Sequence, residues 1–378
     1  MKKENGRDRF IQPIRYIPFD IGAPLPEAKL KQISESLERK FQRMSPNGFF
    51  GVVGNGVSLA FCLTEQIRLY LFRYGIGVFS VTDEAYWFNE RDGAFAIEYC
   101  QQRKYRHKQI LNFQAEYSEL LQNTIGLIRT IAHSPGKPCR ITASEAWEYR
   151  GLSYVMTVSC LHLEQKGFEW EQLEETVKKN LLVMLTPSLM NMEDSLRSDY
   201  KSGECQSIET LQLANYNAPA NYSHVADYGL YVSWAAVIPV LGQEEISVME
   251  LLEALEVDLQ AMWMYIYCMQ QDFIVKKHIP YGLAESICFN AQREFVRFRS
   301  LADTSIPEYI RKIRSALIET SGIQDLMDSF LDDLQYTVQK NKVLRDIRLE
   351  RIEYLKIAVL VSMLGMSTAN QIWKRLKG

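Results

Sequence analysis

The sequence predicts an α+β protein, in which an N-terminal mixed α/β sheet domain precedes a C-terminal domain of long helices, arranged as a helical bundle or a coiled coil. Strand-like apolar segments all lie before residue 245, and the chain after it has a helical pattern. After Pro307 the chain contains no further proline, and apolar residues recur at helical spacing. We therefore predict an α/β sensor or binding domain at 1–245 and a helical assembly domain at 246–378.

The composition is that of an ordinary soluble protein. With 378 residues, 47% hydrophobic and 24% charged, the chain is long enough for two domains with cores. A net charge of −3 gives no general preference for nucleic acid. Seven scattered cysteines without a CxxC pair, and an N-terminus without an apolar signal segment, predict a cytoplasmic protein with reduced thiols.

The N-terminal part alternates between strand and helix patterns. Residues 10–21 carry Pro13 and Pro18, which predicts an edge strand or an extended arm. Residues 26–44 predict an amphipathic helix with one apolar face. Apolar runs predict β segments at 49–63, 67–81, 152–163 and 228–241, the first as a hairpin with Asn55-Gly56 at its tip. Helices are predicted within 83–134 and from Trp170 to about Leu185, and the polar stretch 186–224 predicts a mobile loop or a domain joint.

The C-terminal part is helical by pattern. Helices are predicted at 247–277 and 281–301, followed by one long helix from Pro307, or by two joined near Thr320–Gly322. At about 1.5 Å per residue, such a helix is longer than a compact domain is wide. We therefore expect it to pack along another helix, along a copy of itself, or against a membrane.

The segment IAVLVSMLGM, which begins at Ile357, is apolar on every face. A membrane span needs about 20 such residues, and this run is about half as long. We therefore predict a buried oligomer contact, with an interfacial helix as the alternative, since Lys356 and Lys374 flank the segment and Trp373 is suited to a membrane interface. The residues predicted to face the assembly or the membrane are Ile357, Val359, Leu360, Met363, Leu364 and Trp373.

Catalytic and cofactor motifs give no assignment. The stretch GVVGNG at 51–56 matches neither GxGxxG nor the P-loop pattern, and a strand pattern follows it. The five histidines form no metal-binding spacing, and there is no GxSxG elbow. We therefore predict no catalytic residue, no metal site and no cofactor.

The sequence RKYRHK at 103–108 predicts a basic patch on one helix. Such patches bind phosphate or nucleic acid, especially beside aromatic residues, although a solvated helix face is commoner. The candidate nucleic-acid-binding residues are Arg103, Lys104, Arg106 and Lys108. A second basic cluster combines residues 345–351 with the C-terminal KRLK.

The layout of an α/β domain, long C-terminal helices and an apolar segment with Gly365-Met366-Ser367 resembles that of CorA-type magnesium channels and related bacterial membrane effectors. In that family Gly-Met-Asn follows the first membrane helix; here serine occupies the third position and no second membrane helix follows, so transport is not implied. The resemblance covers the layout and about a dozen residues. It implies oligomerisation through the long helices, with the α/β domain as a sensor or binding module.

These patterns lead to one interpretation and two alternatives. We interpret the chain as a non-enzymatic cytoplasmic effector or regulatory protein, in a setting such as bacterial phage defence, that oligomerises through its C-terminal helices or binds a partner protein. Peripheral membrane contact is kept as an option for the same helix. The first alternative is a nucleic-acid-binding accessory protein that uses the patch at 103–108. The second is an enzyme whose site is assembled from distant residues, with Asp83, Glu98, His162 and His224 as the first candidates.

Overall fold

The computed structural model confirms an α+β fold, with a mixed sheet in the N-terminal part and long helices after it. It describes residues 9–44, 56–88, 95–111, 115–132, 156–163, 173–185, 220–221, 229–233, 236–241, 246–275, 281–299 and 307–376. The chain divides into two compact units: Met1–Met269 with Arg297–Leu326, and Gln270–Val296 with Met327–Gly378. The first unit thus includes helical residues beyond position 245. Most of the predicted loop at 186–224 and the predicted hairpin tip at Asn55 lie outside the described residues.

Ten described strands form one mixed sheet in the first unit. They are β1 (Phe10–Asp20), β2 (Gln42–Met44), β3 (Val57–Cys62), β4 (Ile67–Phe72), β5 (Ile76–Thr82), β6 (Tyr86–Trp87), β7 (Met156–His162), β8 (Ala220–Asn221), β9 (Gly229–Ser233) and β10 (Ala236–Leu241). Their order is β2-β3-β4-β5-β1-β7-β10-β9-β8, and β6 also pairs with β1. The β7–β10 pair is parallel and the other described pairs are antiparallel.

Eight helices are described. They are α1 (Glu27–Glu38), α2 (Phe95–Leu111), α3 (Ser118–Ile131), α4 (Glu175–Leu185), α5 (Ile246–Val275), α6 (Tyr281–Arg299), α7 (Glu308–Ser321) and α8 (Ile323–Leu376). The predicted join near Thr320–Gly322 is confirmed, because Gly322 caps α7 with a φ of 69° and α8 begins at the next residue. Glycine adopts this left-handed conformation without a Cβ penalty.

The prediction of an edge strand or arm at 10–21 is wrong, because β1 lies between β5 and β7 in the sheet. Pro13 has a register partner in β7 but none in β5, whereas Pro18 has a partner in β5 but none in β7. Within the described residues, each proline thus has a register partner on one side only. A missing N–H is tolerated at such a position, which explains how a central strand carries two prolines.

Apolar side chains on one face of the sheet form the core beneath four helices. One cluster packs β1, β3, β4 and β5 against α1 and α3, and a second packs β1, β7 and β10 against α2 and α4. Phe19 illustrates the close packing, since its ring lies over Gly77, where an added Cβ would come within 2.2 Å of it.

In the second unit, α6 and α8 pack together in opposite directions. The rings of Phe295 and Phe330 lie 6.2 Å apart, and the Arg345 guanidinium lies 4.4 Å from the centre of the Tyr281 ring. Moving back along α6 thus corresponds to moving forward along α8. Since α6 begins at Tyr281, α8 extends beyond this pairing by about 30 residues, or about 45 Å.

Candidate functional site

The C-terminal part of α8 is the most exposed apolar surface in the described chain. Every residue from Lys342 to Met366 is exposed. The large apolar side chains among them and at Trp373 are Val343, Leu344, Ile347, Leu349, Ile352, Tyr354, Leu355, Ile357, Val359, Leu360, Val361, Met363, Leu364, Met366 and Trp373. Monomeric proteins rarely expose a continuous apolar surface of this extent, and such surfaces mark interaction sites. We call residues 342–366 the exposed helix segment.

The six residues predicted to face an assembly or a membrane all lie on this surface or just after it. Their exposed fractions run from 51% at Val359 to 65% at Leu364. Among the described helices, none has a stretch long and apolar enough to cross a membrane. The role of these side chains stays a prediction, but their exposure is the property that an intermolecular contact requires.

A second candidate is a buried ionic layer where α5 covers the other face of the sheet. Glu253 on α5 is 4% exposed, and its carboxylate accepts a hydrogen bond of 2.8 Å from the Tyr70 hydroxyl and pairs with Arg68. Tyr70 and Arg68 both belong to β4, two residues apart, and so they point to the same face. Burial raises the pKa of Tyr70 well above 10, and the negative charge of Glu253 raises it further.

Asp258, one helical turn and a half further along α5, is 1% exposed and has three partners. Arg314 on α7 donates a hydrogen bond of 2.9 Å to Oδ2, and the Gly56 backbone N–H donates one of 3.2 Å to Oδ1. Arg297 lies 3.5 Å from Oδ1. Because Arg297 and Arg314 come from α6 and α7, this carboxylate ties three helices to the start of β3.

Glu256 differs from its two neighbours on α5. It is fully buried, its described partner is Gln260 at 3.2 Å, and its Oε1 has no hydrogen-bond partner among the described residues. Burial raises its pKa to about 7, against a small opposing effect of Gln260. Tyr16 on β1 is also fully buried, and its hydroxyl has no partner in the described part of the chain. Glu253 and Glu256 add to the burial that raises the Tyr16 pKa well above 10.

The opposite face of β1 and β7, under α2, carries a different set of polar groups. Tyr99 and Ser159 share a hydrogen bond of 2.6 Å, and His107 Nε2 lies 3.2 Å from the Thr157 hydroxyl. Arg15 pairs with Asp83, which follows β5. Burial lowers the pKa of Arg15 to about 10, so it stays cationic at neutral pH. Burial, together with nearby arginines, lowers the pKa of His107 well below 6.5, so it is neutral there.

The predicted basic patch lies partly inside this face. Arg103 is 1% exposed, and Arg106 is half-buried and donates a hydrogen bond of 3.2 Å to Gln109. The side chains of Lys104 and Lys108 lie outside the described residues. The nucleic-acid interpretation stays a prediction, but a buried Arg103 makes no surface contact with a phosphate backbone.

The four residues named for an assembled enzyme site have separate partners where they are described. Asp83 pairs with Arg15, Glu98 accepts a hydrogen bond of 3.1 Å from the Tyr86 hydroxyl, and His162 stacks on Phe10 with ring centres 4.1 Å apart. His224 lies outside the described residues. Within the described part, no group of three or more His, Cys, Asp or Glu side chains is arranged to hold a metal ion.

Sequence reasoning missed the buried carboxylates of α5. The stretch ELLEALEVDLQ at 250–260 sets acidic residues into an otherwise apolar helix, and this was the available signal. By their spacing Glu253 and Glu256 share one side of the helix, as residues of a solvated face would, whereas Asp258 lies on another side among apolar residues. Charged residues in such a run indicate buried partners rather than solvent.

Comparison of the chain with protein-family models, with curated proteins and with solved structures finds no match. Function is therefore inferred from the geometry of the chain itself. Two features stand out: an exposed apolar helix, and a sheet with charged groups buried on both faces.

Proposed function

We propose that the chain is an assembly protein whose copies associate through the exposed helix segment of α8. The observation that carries this proposal is the exposure of every residue from Lys342 to Met366 in a helix rich in large apolar side chains. An apolar helix in water is stabilised by packing rather than by its own propensity, so this segment needs partner surfaces. In this proposal the first unit is the sensor or binding module of a regulatory or effector protein.

The pattern of the segment favours three or more copies over two. A two-stranded coiled coil buries one stripe of each helix and leaves the remainder to water. Between Ile357 and Met366, however, exposed apolar residues occur on every side of the helix. A helix that is apolar all round is buried all round, which requires a bundle of several helices.

Its length favours other copies of the chain over lipid as the surrounding medium. The run from Ile357 to Met366 is about 15 Å long, whereas the hydrocarbon core of a bilayer is about 30 Å thick. Before Ile357 the helix carries the charged residues of RDIRLERIEYLK at 345–356, which suit the polar outer surface of a helical bundle.

The test is the molar mass of the full chain in solution, measured by light scattering during gel filtration without detergent. We expect an oligomer that the double variant Val359→Gln/Met363→Gln shifts towards the monomer. Burying two such side chains contributes about 3 kcal/mol or more per chain, so the variant weakens association by about a hundredfold or more. Circular dichroism of the full chain is expected to show that the strands and helices of the first unit are retained in the variant.

The matched control is Phe289→Gln, which changes an equally exposed apolar residue on α6, 65% exposed. It is expected to leave the mass unchanged. A chain that is monomeric at tens of micromolar, or an oligomer that the double variant does not weaken, contradicts the proposal. Flotation with vesicles of phosphatidylcholine and phosphatidylglycerol by a monomeric chain would instead assign the segment to a lipid surface.

A further inference from the structure

The sheet face beneath α2 presents polar side chains from two neighbouring strands at its centre. Arg15 on β1 is the register partner of Thr157 on β7, so the two side chains lie side by side on the same face. Ser159 lies two residues further along β7 and points the same way. All three are buried, with exposed fractions of 2% or less. Strand interiors on this side of the sheet are otherwise apolar, as the two core clusters show.

Helix α2 adds three polar side chains over this position. Tyr99, Arg103 and His107 follow one another at a spacing of four residues, which aligns them on one side of the helix. All three are 2% exposed or less. Tyr99 is hydrogen-bonded to Ser159 and His107 contacts Thr157, so the two outer residues fix the helix to β7. Arg103 lies between them along the helix.

Positive charge and hydrogen-bond donors are concentrated here. Each guanidinium of Arg15 and Arg103 is cationic and acts only as a donor. The positive charges of Arg103 and Arg106 add to the burial that lowers the pKa of Arg15. Asp83 provides a carboxylate for Arg15.

One buried donor in this cluster lacks an acceptor in the described part of the chain. Arg103 has further contacts of its own. Nε of Arg15, by contrast, is buried and donates to no described group. A buried cationic N–H without an acceptor is costly, and in native structures it indicates a bound ion or an ordered water.

We propose that this cluster, defined by Arg15, Tyr99, Arg103, His107, Thr157 and Ser159, binds a small tetrahedral oxyanion of the phosphate class. Guanidinium groups bind phosphate oxygens in a bidentate manner, and hydroxyl groups supply single donors. The Tyr99–Ser159 pair has two hydroxyl protons and uses one between its members, which leaves the other for an anion.

The phosphate class has two sources, the free ion and the phosphate of a nucleotide. In either form the anion adds acceptors between the two guanidinium groups and links β1, β7 and α2 through shared hydrogen bonds. This binding site is independent of the proposed assembly through α8, because its residues all belong to the first unit.

The first measurement is the phosphate content of the full chain, purified and dialysed without phosphate and then denatured to release what is bound. A buried ion that exchanges slowly is retained, so we expect up to about one phosphate per chain. The second is a calorimetric titration with inorganic phosphate at constant ionic strength, with chloride as the reference anion. Retained phosphate, or titratable binding that chloride does not reproduce, supports the site. Absence of both overturns it.

Variants then assign the binding to these residues. Arg15→Lys keeps the charge but loses the planar fork of the guanidinium, and Ser159→Ala removes one hydroxyl. Each is expected to weaken phosphate binding about tenfold or more, since one hydrogen bond to a charged group is worth about that factor. If the Arg15→Lys variant does not fold, the Ser159→Ala variant alone tests the assignment, because it removes only one hydroxyl group.

The matched control is Arg43→Lys, the same change in a surface ion pair with Glu38 where the arginine side chain is 53% exposed. It should leave phosphate binding unchanged, and equal weakening by the control and by Arg15→Lys would overturn the assignment. Titration with AMP separates the sources. Binding of AMP that is lost in Ser159→Ala assigns the phosphate to a nucleotide, whereas binding of inorganic phosphate alone assigns it to the free ion.

Discussion

The two faces of the sheet around β1 bury charge in opposite ways. Under α5, the buried charged groups on the helix are carboxylates. Glu253 and Asp258 each bind at least one arginine and one neutral hydrogen-bond donor. Under α2, the buried charged groups are the guanidinium groups of Arg15 and Arg103. Asp83 pairs with Arg15, and the other described polar contacts beneath this helix join Tyr99 to Ser159 and His107 to Thr157. The first face therefore pairs two of its three carboxylates within the chain, although Glu256 Oε1 and the Tyr16 hydroxyl have no described partner, while the second is rich in donors.

The difference shows how a buried charge is stabilised. A carboxylate accepts several hydrogen bonds at one point, so Asp258 gathers Arg314, Arg297 and the Gly56 N–H from three directions. A guanidinium spreads its donors over a plane and needs several acceptors. Removing a paired carboxylate from the α5 face should therefore destabilise the fold, and changes under α2 should alter acid sensitivity and anion binding.

The largest effect is expected for Asp258→Asn. It leaves the buried guanidinium of Arg314, 6% exposed as a side chain, without its carboxylate. Breaking a buried ion pair at one partner costs about 3–5 kcal/mol in the free energy of unfolding. Denaturant unfolding of the full chain measures this loss, and the double variant Asp258→Asn/Arg314→Met should regain part of it.

The control for this change is Asp346→Asn, in an ion pair with Arg345 whose side chains are about half exposed. Surface pairs of this kind contribute about 0–1 kcal/mol. If Asp258→Asn costs no more than the control, the ionic layer is not a structural element and the comparison of the two faces fails.

The next effect is a pH dependence that Glu256 gives to the α5 face. Burial raises the pKa of this carboxyl from its ordinary value of 4.5 to about 7, so between these values the folded chain holds a proton that the unfolded chain has released. Stability is therefore fully present below about pH 4.5, falls as the pH rises, and levels off above about pH 7, for a total loss of about 3 kcal/mol.

Glu256→Gln should remove this pH-dependent loss and make the chain more stable than the original at pH 8. Denaturant unfolding at pH 5, 6, 7 and 8 measures both effects. A variant that keeps the slope between pH 5 and 7 would show that another group is responsible.

The α2 face should respond to pH with the opposite sign through His107. Its pKa is well below 6.5 in the folded chain, so on acidification the unfolded chain takes up a proton before the folded chain does. This contribution to stability is present above about pH 6.5 and is lost as the pH falls. His107→Gln should make unfolding less sensitive to acid, measured in the Glu256→Gln background so that the opposing contribution is absent. Unchanged acid sensitivity would argue against a buried neutral His107.

The smallest effect is expected for Tyr99→Phe, which removes one hydroxyl from the pair with Ser159. A single neutral hydrogen bond contributes about 1 kcal/mol, so the loss in unfolding free energy should be of that order. A double-mutant cycle with Ser159→Ala, in phosphate-free buffer, separates this bond from the two single changes. Additive losses would mean that the two hydroxyls do not interact.

Local sequence patterns predicted the elements well where the physics is local. Strand alternation and helical spacing identify β7 and α5, and Gly322 marks the join of α7 and α8, because period and capping depend on neighbouring residues. Two of the predicted β segments, 67–81 and 228–241, each contain two strands, which the apolar pattern did not separate. Short apolar runs on both sides of a tight turn merge into one pattern.

The sequence by itself determined the α+β class, the long C-terminal helix and the apolar run within it, since each follows from the order of apolar and polar residues. Only the tertiary structure decided that β1 is central, that Arg103 is buried, and that Glu253 faces Arg68 across 185 positions of chain. The physical reason is that the burial of a charge depends on its partner. Partners so distant in sequence leave no local pattern, and they meet only when helix and sheet pack together.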